Sequence, residues 1–363
     1  MITLHKDSAA KKPRKNGRKH SGAVTIHDVA ERAGVSPMTV SRVINGERNV
    51  REVTRALVMA AVEALNYAPN PAARSLAGSE NYRIGLLYSN PSSSYLSEFL
   101  VGTLDESARK ATQILLEKSD VASAAQVAAV RKLIASGVDG VILPPPLGES
   151  EPVLNELRAK GIPAVGVACG RPGPKAICVR IDDRAAALEM TNYLISLGHR
   201  RIGFIRGHPN QTSSAEREKG FVKALTEAGI ALDAALTVQG YFSYRSGLDA
   251  AELLLAQKQP PTAIFASNDD MAAAVVSVAH RRGLDVPRDL SVVGFDDTEI
   301  ATTVWPELTT IHQPVASMAE VAIELVVRAV RKLRSGTEPK AVDHLVAYAM
   351  VKRGSTVAPR NRT

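Results

Sequence analysis

Cysteine is scarce in this chain: Cys169 and Cys178 are the only two among 363 residues. Their separation fits neither a zinc-ligand spacing nor a CxxC redox pair, and a reducing cytosol is the simplest setting for them. No apolar run reaches the roughly eighteen residues that a membrane span requires. The first residues are basic and polar, without the hydrophobic stretch of a secretory signal. Enzyme signatures are missing too: no GxGxxG follows the first predicted strand, and neither GxxxxGK[ST] nor HExxH occurs. The eight histidines are scattered, and none stands in a nucleophile–base pattern. The acidic IDDR segment at 181–184 reads as a helix cap rather than a metal site. The NQT triplet at 210–212 matches a glycosylation acceptor, which has no meaning without secretion. The expectation is a soluble, cytoplasmic, non-enzymatic protein with no metal and no cofactor.

What is present is unevenly distributed. The length suggests two or three domains, and a hydrophobic content of 45% is enough for real cores. Residues 1–79 hold thirteen Lys/Arg against six acids, whereas the other 284 residues hold 32 against 31. Nearly all of the net charge of +8 therefore lies in the first fifth of the chain. A basic end on a neutral body is the electrostatic footprint of polyanion binding. Residues 1–23 alone, with seven bases and one acid, read either as part of that footprint or as a solvated disordered tail.

Residues 24–46, VTIHDVAERAGVSPMTVSRVING, read as two short helices joined by a tight turn. Thr25 and Asp28 make a capping-box pattern that starts a helix at Ile26. Val29, Ala30 and Ala33 fall on one face of it, and Gly34 suits the left-handed residue that ends it. Ser36 caps a second helix and Pro37 fits its first position. Val40, Val43 and Ile44 form its inner face, and Asn45-Gly46 stops it. The short turn makes the helices cross steeply and leaves the second one's N-terminal end exposed to enter a DNA major groove. A third helix over 52–65 would pack through Leu57, Val58, Ala61, Val62 and Leu65. Three such helices also describe a small structural bundle; their coincidence with the basic end favours DNA binding.

The next stretch, APNPAARSLAG at 68–78, has Asn70 as a cap, Pro71 as a start and Gly78 as an end for a helix of roughly seven residues. That is too short to persist alone in water, so it gains order only with a partner. Leu76 would be an exposed apolar residue on it, either docked on the next domain or wedged into a minor groove.

At this point the chain resembles the lactose-repressor (LacI/GalR) family of bacterial regulators. The resemblance is carried by TIHDVAERAGVSPMTVSRVING, LNYAPNPAARSLAG, SNDDMA, DLSVVGFDDTE, PELTTIHQP and VKRGST, spread in order from residue 25 to about 356. It implies a homodimeric repressor whose two helix-turn-helix headpieces read a near-palindromic operator. Paired hinge helices would then bring Asn70, Ala73 and Leu76 to the DNA, with Leu76 pushed into the central minor groove. The resemblance also implies that Pro37, Met38 and Arg42 face bases. Arg42 can bond a guanine edge bidentately, and Met38 offers only apolar contact. Thr25, Thr39, Ser41 and Asn45 are better suited to phosphates. Arg51 stands where the family usually has a small polar cap before the third helix.

From Arg83 onward, short apolar strands alternate with helices. RIGLLYS, QILLEKS, GVILPPP, AVGVAC, CVRID, RIGFIRG, TAIFASN and SVVGFDD read as strands, and about ten in all argue for two parallel sheets covered by helices. Ligands of such sheets bind beyond the carboxyl ends of the strands. Ser89 and Asn90 follow the first strand, Asn268, Asp269 and Asp270 follow TAIFAS, and Asp296 and Asp297 follow SVVGF. Asn or Asp at such junctions also serves as an ordinary helix cap. Arg217, near a helix start where its charge does not help the dipole, reads as a ligand or ion-pair residue. Phe242, in a loop, reads as a stacking face for a sugar ring or as core.

The family resemblance implies the two-lobed fold of periplasmic sugar-binding proteins, with crossings near Ile181, Gln313 and residue 345. It implies an effector cleft lined by Ser89, Arg217, Phe242, Asn268, Asp296 and Gln313, to which the strand-end reading adds Asn90. Arg, Asn and Asp offer paired donors or acceptors to adjacent hydroxyls. The acidic residue that many sugar-binding members carry after VGV is absent; Ala168 occupies that place.

The resulting fold is multidomain. It comprises a basic tail over 1–23, an all-α headpiece over 24–67, a hinge over 68–80 and an α/β effector and dimerisation domain over 81–363. The lobes of that domain would be about 81–181 plus 313–345, and 182–312 plus 346–363. The expected partners are operator DNA, a small effector, most simply a sugar, and a second copy of the chain, with no membrane. The chain's end soon after VKRGST, without a heptad-patterned helix, favours a dimer over a tetramer, and operator binding places the protein at the nucleoid. A nucleobase co-repressor is the alternative within this class, and a stand-alone solute-binding protein is the rival outside it.

Overall fold

The computed structural model describes residues 24–44, 50–67, 82–89, 92–110, 112–120 and 122–360. The chain divides into two compact units, Met1–Glu80 and Asn81–Thr363. The tail over 1–23, the hinge over 68–80 with Asn70, Ala73 and Leu76, and the residues Asn45 and Asn90 lie outside the described residues.

The first unit contains α1 (Ile26–Ala33), α2 (Pro37–Ile44) and α3 (Glu52–Ala64). The Asp28 carboxylate accepts from both the amide and the hydroxyl of Thr25 at 2.7 Å, fixing the start of α1. Gly34 ends the helix at φ 64°, and the Val35 amide reaches back to the Ala30 carbonyl at 3.0 Å. Ser36 Oγ then accepts from the Thr39 amide at 3.2 Å and starts α2. Val29, Ala30, Val40, Val43, Val58 and Ala61 close a small core. One expectation fails. Leu57 is 54% exposed, because the buried stripe of α3 runs through 58, 61, 62 and 65, and Leu57 lies beyond its Ala61 edge, roughly 100° from the central Val58. Arg51 provides no side-chain cap to α3, and its φ of −60° simply leads the chain in.

The second unit alternates strand and helix. In order come β1 (Arg83–Tyr88), α4 (Ser93–Arg109), β2 (Gln113–Lys118), α5 (Ser123–Ala135), β3 (Gly140–Leu143), α6 (Glu151–Ala159), β4 (Ala164–Val167) and β5 (Ile177–Arg180). There follow α7 (Asp183–Ser196), β6 (Ile202–Arg206), α8 (Thr212–Glu227), β7 (Thr237–Gln239), α9 (Tyr244–Leu255), β8 (Ala263–Ala266), α10 (Asp269–Arg281) and β9 (Ser291–Val293). The chain ends with α11 (Glu299–Thr303), β10 (Thr310–His312), α12 (Val315–Arg334), β11 (Val342–Leu345) and β12 (Ala349–Val351).

The strands form a six-stranded sheet in the order β11-β5-β4-β3-β1-β2 and a four-stranded sheet in the order β7-β6-β8-β9. Every pairing within these two sheets is parallel. Central strands such as β3 and β8 are buried along their whole length, which is why they read as continuous apolar runs rather than alternating ones. The expected count of about ten strands is low, since twelve are seen. The unexpected ones, β7 and β10 to β12, are three or four residues long, with β10 and β12 forming a separate antiparallel pair. The chain passes between the two lobes after β5, after β10 and between β11 and β12.

Helix α4 sets one wall of the space between the lobes, and its height is fixed by close packing on α12. A Cβ at Gly102 would sit 2.5 Å from the Ala316 carbonyl oxygen, a distance that real Cβ atoms do not tolerate. Gly102→Val should therefore lift α4 from α12 and destabilise this unit by about 1–3 kcal/mol, the usual range for overpacking. Denaturant unfolding followed by circular dichroism measures it, and a wild-type midpoint would show that the helices approach less closely.

Candidate functional site

The carboxyl ends of strands from both sheets converge on a narrow cavity of about 30 Å³. Ser92, Tyr95, Pro145 and Ala168 line it from the first lobe, and Gln211, Ser213, Arg217, Phe242, Asn268 and Asp296 from the second, with Gln313 at a crossing between them. Five residues singled out in the sequence meet here: Arg217, Phe242, Asn268, Asp296 and Gln313. Ser89 does not line the cavity. It is half-buried at the end of β1, and the first-lobe polar contacts come from the next helix start, Ser92 and Tyr95. Ser92 carries a cap signal that was legible, since its Oγ accepts from the Tyr95 amide at 3.3 Å. Tyr95, Gln211 and Ser213 carry no such signal.

Arg217 is the centre of the arrangement. Its Nε donates to Asp183 Oδ1 at 2.8 Å, its Nη1 donates to the Ser267 carbonyl, and Asp296 Oδ1 lies 3.6 Å away. The guanidinium stacks 3.6 Å over the Phe295 ring and stands 5.6 Å from Phe242. Gln313 Nε2 donates to Asp296 Oδ1 at 2.6 Å. Asp183 was missed in the sequence. In IDDR only Asp182 is the cap, accepting from the Ala185 amide, while Asp183 turns inward to Arg217.

Asn268 is a helix cap that also lines the cavity. Its Oδ1 caps α10 by accepting from the Met271 amide at 3.1 Å, and its Nδ2 donates to the Phe242 carbonyl at 3.0 Å. Asp269 is wholly structural, accepting from Thr310 Oγ1 at 2.6 Å and the Thr298 amide at 2.9 Å. Asp270 accepts from Ser92 Oγ at 2.6 Å and so joins the lobes. Among the described residues, five non-glycine residues have positive φ, and three of them, Ala168, Phe242 and Asp296, line the cavity. Such strain persists where the surroundings over-determine it, and it concentrates at functional sites.

In the first unit, Met38 is 63% exposed near the start of α2, and Arg42 and Thr25 are exposed as well. Pro37, Thr39 and Ser41 are half-buried, and Thr39 Oγ1 lies 3.0 Å from Ser36 Oγ. Among the described residues, no cluster of three or more His, Cys, Asp or Glu is placed to hold a metal.

Burial pushes the Asp296 carboxyl up to about 7 although Arg217 opposes the shift, and burial raises Asp183 in the same direction. A folded-state value above the unfolded one means stability that is full below about pH 4 and is lost as pH rises through 7. Asp296→Asn cannot ionise. Its stability relative to wild type should therefore improve between pH 4 and 7, by a few kcal/mol at about 1.4 per unit. Urea midpoints across that range measure it; a constant difference would show that Asp296 ionises as an ordinary carboxylate.

Comparison with known proteins agrees with this geometry. Residues 25–70 match the family described as bacterial regulatory proteins, lacI family, and residues 191–356 match the periplasmic binding protein-like domain. The chain is 36% identical over 310 residues to catabolite control protein A of Priestia megaterium, spanning 85% of this chain and 93% of that protein. It is 38% identical over 307 residues to the transcriptional repressor PurR of Pectobacterium carotovorum, spanning 83% and 89%. Among solved structures, the lac repressor dimer bound to operator and the anti-inducer ONPF superposes with a TM-score of 0.75 at 30% identity, covering 93% of this chain and 100% of that one. The transcriptional regulator CelR in complex with cellobiose gives 0.70 at 29%, covering 92% and 99%. With a capped helix-turn-helix ahead of a two-lobed parallel α/β unit, and with relatives of this identity along most of its length, the chain belongs to the lacI family of bacterial regulatory proteins and is a DNA-binding transcriptional regulator, not an enzyme.

Proposed function

We propose that the protein represses transcription as a homodimer on a near-palindromic operator, and that a small carbohydrate in the interlobe cavity controls operator affinity. The observation that carries the effector reading is a pair of buried polar atoms at the cavity, Tyr95 Oη and Gln313 Oε1. Neither has a hydrogen-bond partner among the described residues. Unsatisfied buried groups of this kind are costly, and a ligand bearing hydroxyls satisfies both. Arg217, Asn268 and Asp296 add charged and amide groups beside them, and Phe242 adds an aromatic ring. The similar regulator CelR was solved with cellobiose.

The dimer is supported by exposed apolar side chains on adjoining elements: Val101 at 56% and Leu104 at 53% on α4, and Leu116 at 52% on the edge strand β2. The headpiece is assigned to 24–67 and the hinge to 68–80. In each protomer Arg42 and Met38 face bases, while Leu76 of the hinge enters the minor groove. Effector and operator are then linked by one conformational equilibrium, each favouring a different closure of the lobes. The DNA target places the protein in the bacterial cytoplasm.

Two measurements test this. Arg42→Ala should cost about 1–3 kcal/mol of specific binding and relax preference at one base pair, as expected for a bidentate guanine contact. Equal losses on operator and random duplex would reduce Arg42 to a phosphate contact. A thermal-shift screen of sugars and nucleobases, repeated as a gel shift on operator, should yield a sugar that changes operator affinity. Phe242→Ala should abolish that response while leaving operator binding intact. A response confined to nucleobases would replace the carbohydrate by that class.

A further inference from the structure

We infer that the effector is uncharged and that the cleft excludes anionic metabolites such as sugar phosphates and nucleotides. This rests on the effector role proposed for the cleft and narrows the ligand class. Three features around the cavity have the chemistry to receive an anion: the Arg217 guanidinium and the N-termini of α8 and α10. Each is already occupied by side chains of this protein: carboxylates at Arg217 and α8, and an asparagine cap at α10.

Among the described residues, Arg217 is the only cationic side chain lining the cavity. It meets Asp183 at 2.8 Å and Asp296 at 3.6 Å, and all three are at least 95% buried. One guanidinium thus faces two carboxylates. The second Asp183 oxygen is buried with no hydrogen-bond partner among the described residues, so Arg217 is fully committed to acidic groups of its own chain.

The start of α8 is filled from across the cleft. Gln211, at its cap position, makes no side-chain cap. Glu149, in a short turn of the first lobe, supplies the carboxylate instead: its Oε2 accepts from the Thr212 amide at 2.9 Å, and its Oε1 accepts from the Thr212 hydroxyl. This internal anion occupies the place where a ligand phosphate would bind. The start of α10 is closed by its own cap residue. Asn268 takes the Met271 amide, and Asp269 and Asp270 add two carboxylates to the first turn.

A phosphate brought into this cavity meets Asp296 in the lining, with Arg217 committed to Asp183 behind it and Glu149 on the start of α8. In a low-dielectric site such like-charge contacts are strongly unfavourable. An uncharged ligand meets no such repulsion, and Tyr95 Oη and Gln313 Oε1 remain to receive its hydroxyl or N–H groups.

Calorimetric titration of the full-length protein at neutral pH and fixed ionic strength tests this. Each hexose and disaccharide is paired with its phosphate ester, and each purine base with its nucleoside monophosphate. Binding is assigned to the cleft by its loss in Phe242→Ala. The phosphorylated member should bind at least roughly 100-fold more weakly than its uncharged partner. Glu149→Gln and Asp296→Asn should each narrow that ratio. A phosphorylated member binding as tightly as its partner overturns the inference, as does a ratio that neither variant changes. Absence of cleft binding by every member removes the effector role of the cleft and this inference with it.

Discussion

Arg217 is packed between two carboxylates and against an aromatic ring, with almost no contact with water, and the second lobe's side of the cleft is arranged around it. A guanidinium in such a place is tolerable only because its charge is matched and its donors are directed. Removing one member of a buried pair usually costs more than the pair contributes, since the survivor stays charged and dry. That asymmetry constrains several elements at once. The first turn of α7 must present Asp183, α8 must present Arg217, and the backbone after β9 must hold Asp296 at φ 112°. The strain at Asp296 is sustained on one side by Gln313, at the crossing between lobes, and on the other by the ion cluster.

The two lobes also grip each other at the rim. Ser92 reaches Asp270, Glu149 caps α8, and Arg171 of the first lobe meets Glu216 of the second at 2.9 Å. The Arg171 amide adds a 2.7 Å bond to the Thr212 hydroxyl. These polar contacts accompany an apolar cluster that runs from Ile84, Leu86 and Phe99 of the first lobe to Phe204, Phe265 and Phe295 of the second, and three crossings join the lobes. Such polar contacts are weak enough to be exchanged for contacts with a ligand, which is the energetic requirement for a ligand to shift a closure equilibrium.

The cleft's polarity follows from the fold rather than from any single motif. Parallel strands end together, and each is followed by a helix start that favours Asn, Asp or Ser as its cap. Here those caps, Ser92, Asp182 and Asn268, are drawn to one region because the sheets face each other through their carboxyl ends. Some of them do two jobs. Asn268 both caps α10 and lines the cavity, so the cap and binding readings of a strand-end asparagine are compatible.

What the sequence by itself determined is local and periodic. The capping box at Thr25 and Asp28, the left-handed Gly34 and the Ser36 cap were legible because each depends on residues three or four apart. The alternation of apolar strands with helices announced the parallel α/β unit, because strands buried on both faces must be apolar throughout. The basic charge of the first 79 residues pointed to DNA for an equally plain reason. Only the tertiary structure decided the rest. Three-residue strands such as β10 and β12 carry too little pattern to be read and exist because a neighbouring strand is present to pair with them. Leu57 is exposed although its helix is amphipathic, because the other two helices cover only one narrow stripe. Tyr95 lines the cavity and Asp183 turns to Arg217 because a helix rotates side chains by about 100° per residue, and the direction that faces inward is set by packing. Glu149 becomes a cap for a helix 63 residues away only when two lobes close on each other, a partnership that no local spacing encodes.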